Sequence, residues 1–127
     1  MSGRDFNEVV EKIIEEDPRY DRAAYHFMRR ALDHTLKQLH SGDPERDARH
    51  VSGQELLDGI RDFSLKEFGP LTYTVLTNWG LTTSGDFGEI VFNLVDWGVF
   101  GKTDEDSRED FRNGYDFKDA FLKPFEP

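Results

Sequence analysis

Leu81-Thr-Thr-Ser-Gly-Asp-Phe-Gly-Glu-Ile-Val-Phe-Asn-Leu-Val-Asp-Trp-Gly-Val-Phe-Gly-Lys102 is the stretch on which the fold turns. Phe87, Ile90, Val91, Leu94 and Trp97 recur at helical spacing and share one side of a helix over residues 85–97. Glu89, Phe92, Asn93 and Asp96 are left on the other side. The apolar side accounts for burial. An aromatic among acids on the outer side needs a cover from the C-terminal segment or an outside partner.

Upstream, Asp5 caps a helix over 6–16 whose stripe is Phe6, Val9, Val10, Ile13 and Ile14, and Asp17-Pro18 ends it. Asp21 then caps a longer helix to about Leu39, with Ala24, Met28, Ala31, Leu32, Thr35, Leu36 and Leu39 facing inward. Residues 41–51 read as a polar loop. Ser52 and Glu55 have capping-box spacing, and Leu56, Leu57, Ile60, Phe63, Ser64 and Phe68 follow on one face, with Asp62 and Lys66 placed to pair outside. Pro70 opens a fourth helix that Gly80 closes. No charged residue lies between Phe68 and Gly85, which predicts that this helix is buried on more than one side, at the centre of the fold. Phe68-Gly-Pro-Leu-Thr-Tyr-Thr-Val-Leu76 echoes Phe87-Gly-Glu-Ile-Val-Phe-Asn-Leu-Val95, and both run on to Trp-Gly. Two amphipathic helices of similar length explain that echo without a duplication.

The order from 70 to 111 (helix, short turn, second helix, then a segment from Val99 to Phe111) resembles the winged helix-turn-helix half of MarR-type repressors. The resemblance implies a small β-hairpin after the second helix and a DNA-reading outer face. The charges oppose that function. Glu89 and Asp96 sit where phosphates would approach, and Lys102 to Asp110 holds two bases against five acids. The expected architecture is therefore mainly α. It is one compact domain over 1–127 with about five helices: a helical part 5–40, the loop 41–51, a winged-helix-like part 52–112 with its hairpin, and an aromatic tail 113–127.

A net charge of −10 argues against sequence-independent nucleic-acid binding, which depends on Lys and Arg displacing counterions. The absence of cysteine excludes disulfides and thiolate chemistry. No stretch is apolar enough to span a membrane, and the start of the chain has no apolar leader, so a cytoplasmic protein is expected. Seventeen aromatics, eleven Phe, four Tyr and two Trp, predict an aromatic-rich core.

Nothing in the pattern marks an enzyme. There is no Gly-x-Ser-x-Gly elbow, no Walker loop and no Gly-x-Gly-x-x-Gly. His26, His34, His40 and His50 form no i, i+4 ligand pair, so neither metal nor cofactor is expected. Arg22, His26, Arg29, Arg30 and Lys37 make the one cationic helix surface, an ordinary exposed face or a receiver of an acidic peptide or RNA backbone. In the tail, Tyr115, Phe117, Phe121 and Phe125 either close the core or dock on another protein.

Over nearly its whole length the chain resembles a family of small proteins from planctomycetes, verrucomicrobia and related bacteria. Asp17-Pro-Arg-Tyr-Asp-Arg-Ala-Ala-Tyr-His-Phe-Met28, Val51-Ser-Gly-Gln-Glu-Leu-Leu-Asp-Gly-Ile-Arg61 and Gly88-Glu-Ile-Val-Phe-Asn-Leu-Val-Asp-Trp-Gly98 carry the resemblance. It implies a single bacterial domain and transfers no site. The expectation is a non-enzymatic interaction module with a protein partner met by Glu89, Phe92, Asn93, Asp96, Tyr115, Phe117 and Phe121. The alternatives are a DNA-binding regulator and an enzyme of unknown class.

Overall fold

A computed structural model describes residues 5–45, 51–100, 108–112 and 114–127. In chain order the helices are α1 (Phe6–Glu16), α2 (Arg22–Gly42), α3 (Gly53–Phe68), α4 (Thr72–Asn78), α5 (Ser84–Asp96), α6 (Arg108–Arg112) and α7 (Phe117–Phe121), with 3-10 turns at Gly69–Leu71 and Lys123–Phe125. The class is mainly helical, and among the described residues there is no strand. The small hairpin expected between Val99 and Phe111 is thus not supported. Residues 101–107 lie outside the described residues, and the far arm of that segment is the helix α6. The acids of that arm suit a helix's first turn, where Glu109 and Asp110 stand, as well as a solvated strand.

Local chemistry explains where most helices begin. Asp5 accepts from the Asn7 amide at 3.2 Å and Asp21 from Ala23 at 2.8 Å. Ser52 and Glu55 exchange side-chain and backbone bonds at 3.1 and 3.0 Å, the reciprocal pair their spacing predicts. Each such cap is worth about 1 kcal/mol. Asp62 and Lys66 pair at 3.2 Å on the outside of α3. The loop expected over 41–51 starts later, because α2 continues through Gly42.

The core is aromatic and continuous, with Tyr25, Phe27, Phe87, Phe111 and Phe121 buried with the aliphatic residues of α1, α3 and α5. Burying one such ring contributes about 2 kcal/mol. α2 buries Tyr25 and Phe27 beside its expected stripe, because it packs on α1, α3 and α5 together and so hides more than one face.

α5 is buried more deeply than α4, the helix expected at the centre. Phe87, Ile90 and Leu94 are fully buried, and α5 packs on α2, α3 and α6. α4 buries Thr72 and Leu76, while Leu71 just before it is 64% exposed. The segment lacks charge without lacking polarity. Thr74 and Asn78 are exposed, and their uncharged polar groups are content in water. Nor are the two echoing helices alike in length, seven residues against thirteen. Phe68 is the last residue of α3, whereas Phe87 stands in the first turns of α5.

Candidate functional site

Two stretches far apart in the chain, residues 17–28 and 86–98, meet in space. The turn between α1 and α2, which begins at Asp17-Pro18, folds against the polar side of α5. Arg19 doubles back on Asp17, donating from Nε to Oδ1 at 2.8 Å and from Nη2 to Oδ2 at 2.7 Å. The same Nη2 reaches Glu89 Oε1 at 3.2 Å, and Arg108 Nε from α6 reaches Glu89 Oε2 at 3.1 Å. Asn93, one turn further along α5, donates from Nδ2 to Asp17 Oδ2 at 3.1 Å and to the Tyr25 hydroxyl oxygen at 3.0 Å. Tyr20 donates its hydroxyl to Asp86 Oδ1 at 2.6 Å, while Asp86 Oδ2 accepts from the amides of Thr82 and Thr83 at 2.9 and 3.0 Å. Asp86, Glu89 and Asn93, at i, i+3 and i+7, form one row on α5, and this turn engages all three.

The electrostatics follow from those contacts. The Arg19 guanidinium, helped by Asn93 and opposed by burial, holds the Asp17 carboxyl down to about 2. Asp17 in turn raises Arg19. Burial pushes the Tyr20 hydroxyl up, and its bond to Asp86 pushes it further. Burial alone would raise Asp86, but the Tyr20 hydroxyl and the two amides outweigh it and leave the carboxyl below its usual range. Burial raises Tyr25 as well. The carboxylates that shift therefore hold their charge, and the two phenols hold their protons. None of these groups is poised to exchange a proton near neutral pH, as general acid-base chemistry requires.

The residues expected to meet a partner are divided by the structure. Asp96 is exposed, and Glu89 and Asn93 are half-buried parts of the network. Phe92 is 5% exposed and lies under α6, edge-to-face with Phe111 at 6.2 Å and beneath the Arg108 guanidinium at 5.0 Å. Its cover is α6, not the tail beyond it. Phe117 and Phe121 are core residues, Phe117 tilted against Phe87 at 5.3 Å and edge-to-face with Phe121 at 5.0 Å. Tyr115 is half-buried and donates its hydroxyl to the Leu57 carbonyl at 2.8 Å. Phe92, Phe117 and Phe121 are thus buried within the chain itself. Phe125, at 43% exposure, is the tail aromatic that stays outside.

The cationic stripe on α2 is largely engaged by the chain itself. Arg22 pairs with Glu11 at 2.8 Å and Arg30 with Glu67 at 2.9 Å. Arg29 stacks over Phe6 at 4.7 Å, and His26 meets the same ring at 5.2 Å. Lys37 remains exposed. Glu11 of α1 and Glu67 of α3 thus neutralise two arginines of the stripe. His34 pairs with Asp62 at 2.8 Å, and His50 lies outside the described residues. No group of three or more His, Cys, Asp or Glu among the described residues is placed to hold a metal ion.

Sequence reasoning missed Asp17, Arg19, Tyr20, Tyr25 and Asp86 as members of one network. The available signal was a polar row on α5 facing a turn rich in both signs of charge. A cleft of about 390 Å³ lies beside that turn, between Arg19, Tyr20, Trp79 and Gly80, and another of about 590 Å³ lies between Phe6, Arg29, Trp97 and Phe100. No helix among the described residues is long and apolar enough to cross a membrane. No family model, curated protein or solved structure matches the chain.

Proposed function

We propose that this chain is a non-enzymatic protein-interaction module of the bacterial cytoplasm, related to the small bacterial proteins its motifs resemble, and that its partner is basic. The observation that carries this reading is where the positive charge goes. Arg19, Arg22, Arg30, Lys66, Arg108, Arg112 and Lys123 all stand within ion-pair distance of carboxylates of the same chain. The net charge of −10 is therefore expressed by exposed acids such as Glu8, Glu15, Glu16, Asp33, Asp58 and Asp96. Such a surface attracts a basic polypeptide from a Debye length of about 8 Å at physiological salt and repels nucleic acid.

The competing reading is a winged-helix regulator, supported by the order α4, turn, α5. Against it stands the burial of most of α5, whose accessible polar residues include Glu89 and Asp96. Capture from a native bacterial lysate, with the bound protein identified by mass spectrometry, tests the proposal. One retained protein, released by salt and lost with the Glu8→Gln, Glu15→Gln, Glu16→Gln triple variant, is the expected outcome. Nothing retained, together with salt-sensitive anisotropy on random duplex DNA, would hand the function to the regulator.

A further inference from the structure

The cleft beside the 17–20 turn carries a charge that the ion pairs around it leave over. Ile14 near the end of α1, Pro18 and Trp79 give it apolar walls, and its volume of about 390 Å³ is within the range that holds small ligands. Every lining residue is described, and so are the chain neighbours of each. Trp79 packs on Phe27 at 5.5 Å and on Phe68 at 5.7 Å, yet its indole is only half-buried. Both arginines of the lining are taken. Arg19 gives Nε and Nη2 to Asp17, and Arg22 gives the same two nitrogens to Glu11 at 2.8 and 3.0 Å. Asp21 differs: it is exposed, its Oδ2 caps α2 through the Ala23 amide at 2.8 Å, and it stands in no ion pair among the described residues. α1 and α4 both end beside the cleft, and the C-terminal end of a helix adds negative potential to that carboxylate.

We infer that this cleft receives one lysine or arginine side chain of the basic partner, its methylene stem lying against Ile14, Pro18 and the Trp79 indole and its charged head on Asp21. This rests on the interaction-module reading and names the contact. A long cationic side chain lays its stem on apolar surface while its head stays in water, and an indole adds attraction for the cation. An anionic ligand would meet Asp21 and two helix C-termini instead, and an uncharged one would leave the carboxylate unanswered.

The probe is N-acetyl-lysine methylamide, titrated at low salt into the isotope-labelled full chain and followed by the amide resonances and the Trp79 indole resonance. Saturating shifts confined to residues 18–22 and 77–80 are expected, with binding about five-fold weaker in full-length Asp21→Asn, the factor an exposed ion pair supplies. That variant keeps the cap, because Asn serves the N-terminal position of a helix as well as Asp does. N-acetyl-norleucine methylamide, which has the stem without the charge, should be weaker on the natural chain by the same factor. Equal binding of the norleucine probe, tighter binding of N-acetyl-glutamate methylamide at these residues, or shifts spread over the acids of α1 overturns the inference. Should Asp21→Asn fail to fold, the comparison of lysine with norleucine on the natural chain decides. In the lysate capture, retention unchanged by Asp21→Asn overturns the cleft as the partner's contact and leaves the interaction-module reading intact. Nothing retained by the natural chain, while the lysine probe fills the cleft, overturns that reading and supports the cleft as a cation site.

Discussion

α4 and α5 end in the same way and are used differently. After α4, Trp79 is followed by Gly80 at φ 96°, with the Gly80 amide on Thr77 O at 3.0 Å and the Leu81 amide on Leu76 O at 3.0 Å. After α5, Trp97 is followed by Gly98 at φ 76°, with the Gly98 amide on Val95 O at 3.0 Å and the Val99 amide on Leu94 O at 2.9 Å. Both are Schellman motifs, which is the physical content of the repeated Trp-Gly-apolar sequence. Yet the first exit is built into the molecule: Trp79 O accepts the Asp21 amide at 3.0 Å, the Arg19 carbonyl crowds Gly80, and Leu81 is fully buried. The second is more open, with no described residue within 4 Å of a Cβ on Gly98 and with Val99 half-buried. Local sequence sets how a helix stops, and the surroundings set how much depends on it.

That difference can be broken by substitution. Gly80→Ala adds left-handed strain and forces a methyl to within 2.5 Å of the Arg19 carbonyl oxygen, so urea unfolding should show a loss of about 3 kcal/mol. Leu81→Ala empties a fully buried site and should cost about 3 kcal/mol, against less than about 1 kcal/mol for Val99→Ala. Gly98→Ala carries the strain without the clash and should cost about 1 kcal/mol. Equal losses for the two glycine variants would mean that the Arg19 contact contributes nothing.

Acid should single out the first exit, because the turn that packs on it holds Asp17. The folded-state carboxyl lies near 2 and the unfolded one near 3.8, so its contribution is complete above about pH 4 and is lost as pH falls toward 2. Arg19 is 52% exposed, and solvent screening reduces the contribution to about 1 kcal/mol. Denaturation midpoints of Asp17→Asn should therefore vary less between pH 4 and 2 than those of the natural chain. An unchanged pH profile would remove Asp17 as the acid-sensitive element.

Much of the fold was legible because its signals are local. The caps at Asp5, Asp21 and Ser52 and the glycine after Trp79 are short-range chemistry, and the structure has them at those helix ends. What the sequence leaves open is long-range. Whether Phe92 meets solvent depended on a helix some twenty residues later in the chain, and whether Phe117 and Phe121 are core or bait depended on how far the tail folds back. The polar row of α5 was visible, but its partners lay on a turn some seventy residues earlier, and nothing periodic joins the two.

From its residues alone the chain determined the helices α1 to α5, the caps that open α1, α2 and α3, its acidity and its aromatic core, because these follow from backbone hydrogen bonding, spacing and net charge. Tertiary structure alone decided that α5 is buried more deeply than α4, that α6 stands at the far arm of the expected wing, and that Glu89, Asn93 and Asp86 belong to a network with Asp17, Arg19 and Tyr20. The reason is that burial belongs to a pair of surfaces, and a sequence displays only one of them at a time.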